Sequence, residues 1–111
     1  MVKMVSISQD ARYFFRRAME AEARNNPAQV IEYFDRAISM DPGYAGAWNE
    51  KGNYLDQIGK LDEALACYDT ALEIEPEDAE IWFNKGLTLK KIGREKDATF
   101  CINRGIELTI G

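Results

Sequence analysis

The sequence contains no histidine and only two cysteines, Cys67 and Cys101, which lie far apart along the chain. Without histidine the chain lacks the most common general base and metal ligand of proteins, and it has no Ser–His or Cys–His couple. Neither cysteine stands in a CxxC or other metal-binding spacing. We therefore expect a protein that is not an enzyme and that holds no cofactor and no metal.

Long apolar stretches are also missing. No run approaches the roughly 20 apolar residues that are needed to cross a bilayer. The first ten residues, MVKMVSISQD, lack the apolar core of a secretory signal. With 46% hydrophobic and 30% charged residues, the composition favours a soluble, cytoplasmic protein that does not bind membranes.

Positive charge is scarce in the middle of the chain. The net charge is −5, and residues 45–78 alone carry nine acidic and two basic side chains. Such a segment repels phosphate backbones, so we expect no nucleic-acid partner. An acidic surface suits basic or apolar peptides, although a solvated helix face with no binding role explains the charge equally simply.

The chain repeats itself at a regular interval. When residues 45–77 are aligned with 79–111, ten of the 33 pairs are identical, including both tryptophans and both cysteines. A more divergent copy precedes them, with Phe14 in the place of the first tryptophan. The sequence therefore divides into a lead-in at 1–10 and repeats at 11–44, 45–78 and 79–111.

Each repeat is predicted to form two helices, because apolar residues recur at spacings of three and four. Small or amide residues interrupt this pattern at Asn25–Asn26, Gly59–Lys60 and Gly93–Arg94. Pro27 suits the first turn of a helix, and Pro76 ends one.

The middle repeat contains the pattern W-x3-G…A-x3-Y-x2-A-x4-P, which is formed by Trp48, Gly52, Ala64, Tyr68, Ala71 and Pro76. This pattern resembles the tetratricopeptide repeat, whose period of roughly 34 residues matches the offset between the aligned segments. The third repeat departs from it at Ile102 and Ile110, and the first at Val30. The resemblance implies an all-α, right-handed solenoid of three helix pairs over residues 11–111, held together by the stacking of successive pairs.

The resemblance also implies a concave groove lined by the first helix of each pair. We expect the exposed aromatic rings of Phe15 and Phe83 to form apolar ends around an amide centre, where asparagines bind a peptide backbone. The candidate peptide-binding residues are Arg12, Phe15, Arg16, Met19, Asn49, Asn53, Phe83, Asn84 and Leu87. The further groove positions hold Ala23, Gly46, Glu50, Gln57, Glu80 and Lys91. These side chains are alternatively an ordinary helix surface.

The expected function is a scaffold that binds a partner peptide or helix in this groove. The alternative is a structural module that assembles with copies of itself. The family's carboxylate clamp for chaperone tails is not expected, because its five positions hold Phe15, Met19, Glu50, Glu80 and Asn84, and none of these matches the clamp.

Two further expectations concern the second helices and the end of the chain. Cys67 and Cys101 should stay reduced, because equivalent positions on successive repeats lie on the order of 10 Å apart, beyond the reach of a disulfide. We expect no capping helix after the last repeat, and the residues expected to lack part of their cover are Leu89, Ile92, Ile102, Ile106 and Ile110. A homodimer through this end, or a longer repeat array, would supply it.

Overall fold

The computed structural model describes residues 10–111, which form six α-helices and no strand. The helices are α1 (Ala11–Ala23), α2 (Pro27–Met40), α3 (Ala45–Gln57), α4 (Leu61–Ile74), α5 (Ala79–Ile92) and α6 (Glu95–Ile110). Each predicted repeat contains two of them. The lead-in up to residue 9 lies outside the described residues. None of α1–α6 combines the length and the apolar character that a bilayer span requires.

The turn inside each pair falls at the predicted residues. Asn25, Gly59 and Gly93 have φ angles of 61°, 86° and 94°, which is the left-handed region that glycine and asparagine tolerate. Asn26 then caps α2, and Pro27 is its first residue. The three turn predictions are confirmed.

Aspartates start two of the helices. The Asp10 carboxylate accepts a hydrogen bond from the Tyr13 backbone N–H at 2.9 Å. Asp78 accepts from the Glu80 backbone N–H at 3.0 Å at the start of α5. Each such cap stabilises its helix by about 1 kcal/mol, because it satisfies an amide that has no partner within the helix.

The described residues divide into two compact units, which we call the N-terminal unit (residues 10–47) and the C-terminal unit (Trp48–Gly111). Their boundary falls inside α3, not between two repeats. The N-terminal unit contains α1, α2 and the start of α3, and the C-terminal unit contains the rest of α3 with α4, α5 and α6. A single domain over 11–111 stays a prediction.

Aromatic rings and alanines form the core of the N-terminal unit. Phe14 packs with the fully buried Ala37 and with Ala47. The Tyr33 ring stacks on Phe14 with a centroid separation of 6.3 Å. The Arg17 guanidinium lies 5.5 Å above the Tyr33 ring, so this arginine covers the helix pair in the way that long cationic side chains do.

Glycines set the close packing of helices in the C-terminal unit. A Cβ atom at Gly52 would lie 2.7 Å from Cε1 of Tyr68, and one at Gly86 would lie 2.7 Å from Cγ1 of Ile102. Such a separation is shorter than van der Waals contact. The helices of each pair therefore approach to a distance that only glycine allows at these two positions.

The last repeat also has a buried centre. Leu89, Ala98 and Cys101 form a cluster in which each is no more than 3% exposed. The expectation that Leu89 lacks cover is therefore wrong, because α6 folds back over it. Further along α6, Ile106 is 44% exposed and Ile110 is 80% exposed.

Candidate functional site

Four of the nine predicted site residues lie along one side of α1 in the N-terminal unit. Arg12, Phe15, Arg16 and Met19 follow the helical spacing i, i+3, i+4 and i+7, which brings them onto one helix face. Arg12 and Arg16 are exposed, and Met19 is 38% exposed. This face therefore presents two cations beside a thioether.

The two phenylalanines are less accessible than predicted. Phe15 is half-buried, and its ring centroid lies 5.3 Å from that of Tyr44 and 6.1 Å from that of Phe34. Phe83 is half-buried as well, and its ring leaves no room for a Cβ atom on Gly105. The expectation that both rings are exposed is wrong, since each covers the second helix of its own repeat.

The other five residues belong to the C-terminal unit, which contains a cleft of about 520 Å³. We call it the inner cleft. Its lining comes from α3, α4 and α5 and consists of Glu50, Asn53, Asp56, Gln57, Tyr68, Asn84, Leu87, Lys90 and Lys91. Six of these nine occupy groove positions that the family resemblance implied. Asp56, Tyr68 and Lys90 were missed.

Amide groups are held in place beside this cleft by hydrogen bonds. The Tyr68 hydroxyl donates to Oδ1 of Asn53 at 2.6 Å. Nδ2 of Asn84 donates to Oδ1 of Asn49 at 3.1 Å, while Nδ2 of Asn49 donates to Glu80 at 3.4 Å. Asn49 is only 5% exposed. Asn49 therefore orients Asn84, and Asn53 and Asn84 are the asparagines that line the cleft.

Asp56 links α3 to α5 at the edge of the inner cleft. Its carboxylate accepts hydrogen bonds from the Thr88 hydroxyl and from the Lys91 ammonium. The Thr88 side chain is fully buried, so it depends on this acceptor. Burial raises the pKa of the nearby Tyr68 phenol, which remains a neutral hydrogen-bond donor. Sequence periodicity alone does not show that these residues meet.

Three side chains of the inner cleft, those of Gln57, Leu87 and Lys90, are exposed and have no polar partner among residues 10–111. Leu87 is 54% exposed. Gln57 and Lys90 are exposed, and their side chains form no hydrogen bond or ion pair with other described residues. Between residues 10 and 111, no three His, Cys, Asp or Glu side chains meet in a way that would hold a metal ion. The cleft suits an organic ligand with both amide and apolar groups.

Models of the tetratricopeptide repeat match most of the chain. One matches residues 11–44 and 79–109, and a second matches residues 33–66. A model described as a TPR repeat matches residues 52–93. These ranges cover all three predicted repeats.

A protein from Methanocaldococcus jannaschii, uncharacterized protein MJ0572, is 31% identical to the chain over 58 residues, which are 52% of this chain and 67% of that protein. Among solved structures, MamA is similar with a TM-score of 0.85 and 21% identity, and the match covers 91% of this chain and 55% of MamA. YrrB, titled a TPR protein with an unusual peptide-binding site, has a TM-score of 0.81 and 22% identity over 89% of this chain and 51% of its own. The chain therefore spans about half the length of these two structures.

The N-terminal domain of stress-induced protein-1 from C. elegans is also similar, with a TM-score of 0.82, 18% identity, and coverage of 88% of this chain and 83% of that domain. At these identities the structural matches show the fold, and the family models show the repeat. The helix bounds and the family matches agree on the same three helix pairs, and the glycine contacts show close packing within the second and third. The chain belongs to the tetratricopeptide repeat family and has the all-α solenoid fold of that family.

Proposed function

We propose that the protein is a non-enzymatic interaction module whose inner cleft binds a peptide segment of another protein. The observation that carries this proposal is the pair of oriented amides, Asn53 and Asn84, beside the exposed Leu87. Peptide recognition needs polar groups that fix the backbone and apolar surface that takes a side chain. YrrB, which has a similar fold, is described as having an unusual peptide-binding site, and this supports such a use of the fold.

The hydrogen-bond pattern supports this proposal, because it leaves one amide atom on each asparagine open to a peptide. Asn84 uses Nδ2 to reach Asn49, so its Oδ1 is left to accept from a peptide N–H. Asn53 uses Oδ1 to accept from Tyr68 and donates from Nδ2 to Glu50 at 3.5 Å, so the second hydrogen on its Nδ2 is left to donate to a peptide carbonyl. The two amides thus offer one acceptor and one donor to a single backbone.

The α1 face of the N-terminal unit is a second proposed contact surface. Arg12 and Arg16 offer cations, and Met19 offers a flexible apolar side chain that adapts to different partners. Phe15 supports this face by packing beneath it against Phe34. Asn49 and Phe83 have the same supporting role in the C-terminal unit.

The proposal is tested by selecting peptides from a random display library on the wild-type protein and measuring each by fluorescence anisotropy. Replacing Leu87 by Glu should weaken binding by about tenfold or more, because it puts a charge where an apolar side chain docks. Ile106→Glu is the matched control, since Ile106 is also an exposed aliphatic residue of the C-terminal unit but lies outside the inner cleft. Equal effects of the two substitutions would contradict the assignment of the cleft.

Self-assembly is the second candidate function, and the exposure of Ile106 and Ile110 on α6 favours it. Exposed aliphatic side chains on one helix are a common surface for contacts between identical chains. Light scattering during size exclusion measures the mass in solution. An oligomer that becomes a monomer in Ile106→Glu supports assembly, whereas a wild-type monomer at high concentration contradicts it.

A further inference from the structure

A second cleft opens on the other side of α5, and we call it the outer cleft. At 100° per residue, Asn84, Leu87 and Lys91 point to one side of α5, whereas Trp82, Lys85 and Leu89 point to the opposite side. The first set belongs to the inner cleft, and the second set lines the outer one. The proposed peptide site does not use this surface.

The outer cleft is small, apolar at its base and aromatic on one wall. Its volume is about 270 Å³, and it is lined by Leu65, Asp69, Trp82, Lys85, Leu89, Arg94, Asp97, Phe100 and Cys101. Leu89 and Cys101 are buried at the base. The Trp82 and Phe100 rings meet edge to face, with centroids 6.2 Å apart. Pockets for drug-sized ligands measure roughly 300–1,000 Å³, so this one fits a single bulky side chain.

A hydrogen bond holds the Trp82 ring in place, whereas packing of the helices does not account for an aromatic ring at Phe100. Nε1 of Trp82 donates to the Pro76 carbonyl at 2.8 Å, which holds the indole in position. Phe100, in contrast, is 64% exposed. At the equivalent positions of the second and first repeats the chain has Ala66 and Glu32. Packing of the repeat therefore does not require an aromatic residue here, and Phe100 is available to a ligand.

The charges around the outer cleft favour a basic ligand. Lys85 pairs with Oδ1 of Asp69 at 2.7 Å, and Arg94 pairs with Oδ2 of Asp97 at 2.6 Å. Both cations are thus occupied, while Oδ2 of Asp69 and Oδ1 of Asp97 have room for another donor. The C-terminal unit as a whole carries 13 acidic and eight basic side chains. Its field attracts cationic segments.

We propose that the outer cleft is a second binding site, which takes one bulky apolar side chain of a partner segment rich in lysine or arginine. The apolar side chain packs between Trp82 and Phe100 over the Cys101 thiol. Flanking cations reach the open oxygens of Asp69 and Asp97. The two clefts would let one C-terminal unit contact two segments at once.

The test uses a synthetic peptide, Gly-Lys-Lys-Phe-Lys-Lys-Gly with blocked ends, and a matched peptide in which serine replaces phenylalanine. Binding is followed by ¹H–¹⁵N NMR on the whole chain. The Trp82 indole resonance reports on the outer cleft, and the Asn53 and Asn84 side-chain amides report on the inner cleft. We expect the phenylalanine peptide to shift the Trp82 resonance and the serine peptide to bind at least about fivefold more weakly.

Phe100→Ala is the decisive variant, because alanine stands at the equivalent position of the second repeat and the helix should tolerate it. Phe100→Ala should lower the affinity of the protein for the phenylalanine peptide about fivefold, whereas Leu87→Ala should leave that affinity unchanged. Far-UV circular dichroism checks that both variants fold.

Four results would overturn the proposal: no shift at millimolar peptide, equal binding of the two peptides, shifts confined to Asn53 and Asn84, or unchanged binding to Phe100→Ala. A fifth would be a Trp82 shift that depends on protein concentration without peptide, since a second copy would then occupy the cleft. If the display experiment finds no peptide that binds the inner cleft, the Trp82 indole resonance still reports whether a peptide binds the outer cleft. The two proposals therefore fail separately.

Discussion

Replacing Gly52 by alanine should destabilise the protein, although alanine is normally the better helix residue. The new Cβ atom would lie 2.7 Å from Cε1, 3.0 Å from Cδ1 and 3.1 Å from Cζ of the Tyr68 ring. That ring is 1% exposed, and its hydroxyl is bonded to Asn53 at 2.6 Å. The ring has no direction in which to move without losing contacts or this hydrogen bond.

The size of the effect follows from two opposing contributions. Glycine to alanine inside a helix stabilises by about 1 kcal/mol. Forcing a methyl group into a packed core costs about 1–3 kcal/mol. The contact is about 0.8 Å shorter than the optimal carbon–carbon distance of roughly 3.5 Å, so we take the upper end of that range. Gly52→Ala should therefore lower the free energy of unfolding by about 2 kcal/mol.

A double-mutant cycle isolates the clash. With Tyr68→Leu the ring is gone, and Gly52→Ala should then stabilise by about 1 kcal/mol, which gives a coupling energy of about 3 kcal/mol. Urea unfolding followed by both circular dichroism and tryptophan fluorescence measures each variant and checks for a two-state transition. Ala66 is exposed on α4, so the change in unfolding free energy of Ala66→Gly measures the helix-propensity contribution without a packing effect. If Gly52→Ala has the same effect with and without the Tyr68 ring, the packing explanation is refuted.

Burial raises the pKa of Tyr68, so the folded chain holds this proton more tightly than the unfolded chain does. The free energy of unfolding should therefore fall as the pH rises above about 10, the ordinary tyrosine pKa. The fall should be smaller in Tyr68→Phe. Cys67 and Cys101 should titrate as two slowly reacting thiols, because both are buried and burial raises the pKa of Cys101; native protein without titratable thiols would contradict this. Asp56→Asn should lower the free energy of unfolding by about 1–3 kcal/mol, because the Lys91 ion pair and a buried hydrogen bond are weakened. Equal stability of that variant in urea would show that water replaces these contacts.

The periodic features of the fold were predictable because they depend on local rules. A regular repeat, helix spacing and left-handed turn residues are each visible in the linear sequence. The turn at Asn25 and the proline start of α2 needed no knowledge of neighbouring helices. Helix pairing followed because a single amphipathic helix cannot bury its apolar face alone.

The accessibility of individual groove residues was less predictable. The family resemblance placed six of the residues that line the inner cleft at groove positions. It could not show that Asn49 is buried beneath Asn84, or that the Phe83 ring fills the space over Gly105. These outcomes depend on the length of each side chain and on its distance from the next helix. The spacing of residues along the sequence does not give that distance.

The repeat and its six helices follow from the sequence alone, because periodicity and the conformations that glycine, asparagine and proline favour are local properties. The residue pattern of the middle repeat indicated the family. The contacts across helices follow from tertiary packing: Asp56 meets Thr88 and Lys91, and Trp82 meets Phe100. Contacts between residues far apart in the chain depend on the distance between packed helices. That distance is set by the small residues between them and is known only once the chain has folded.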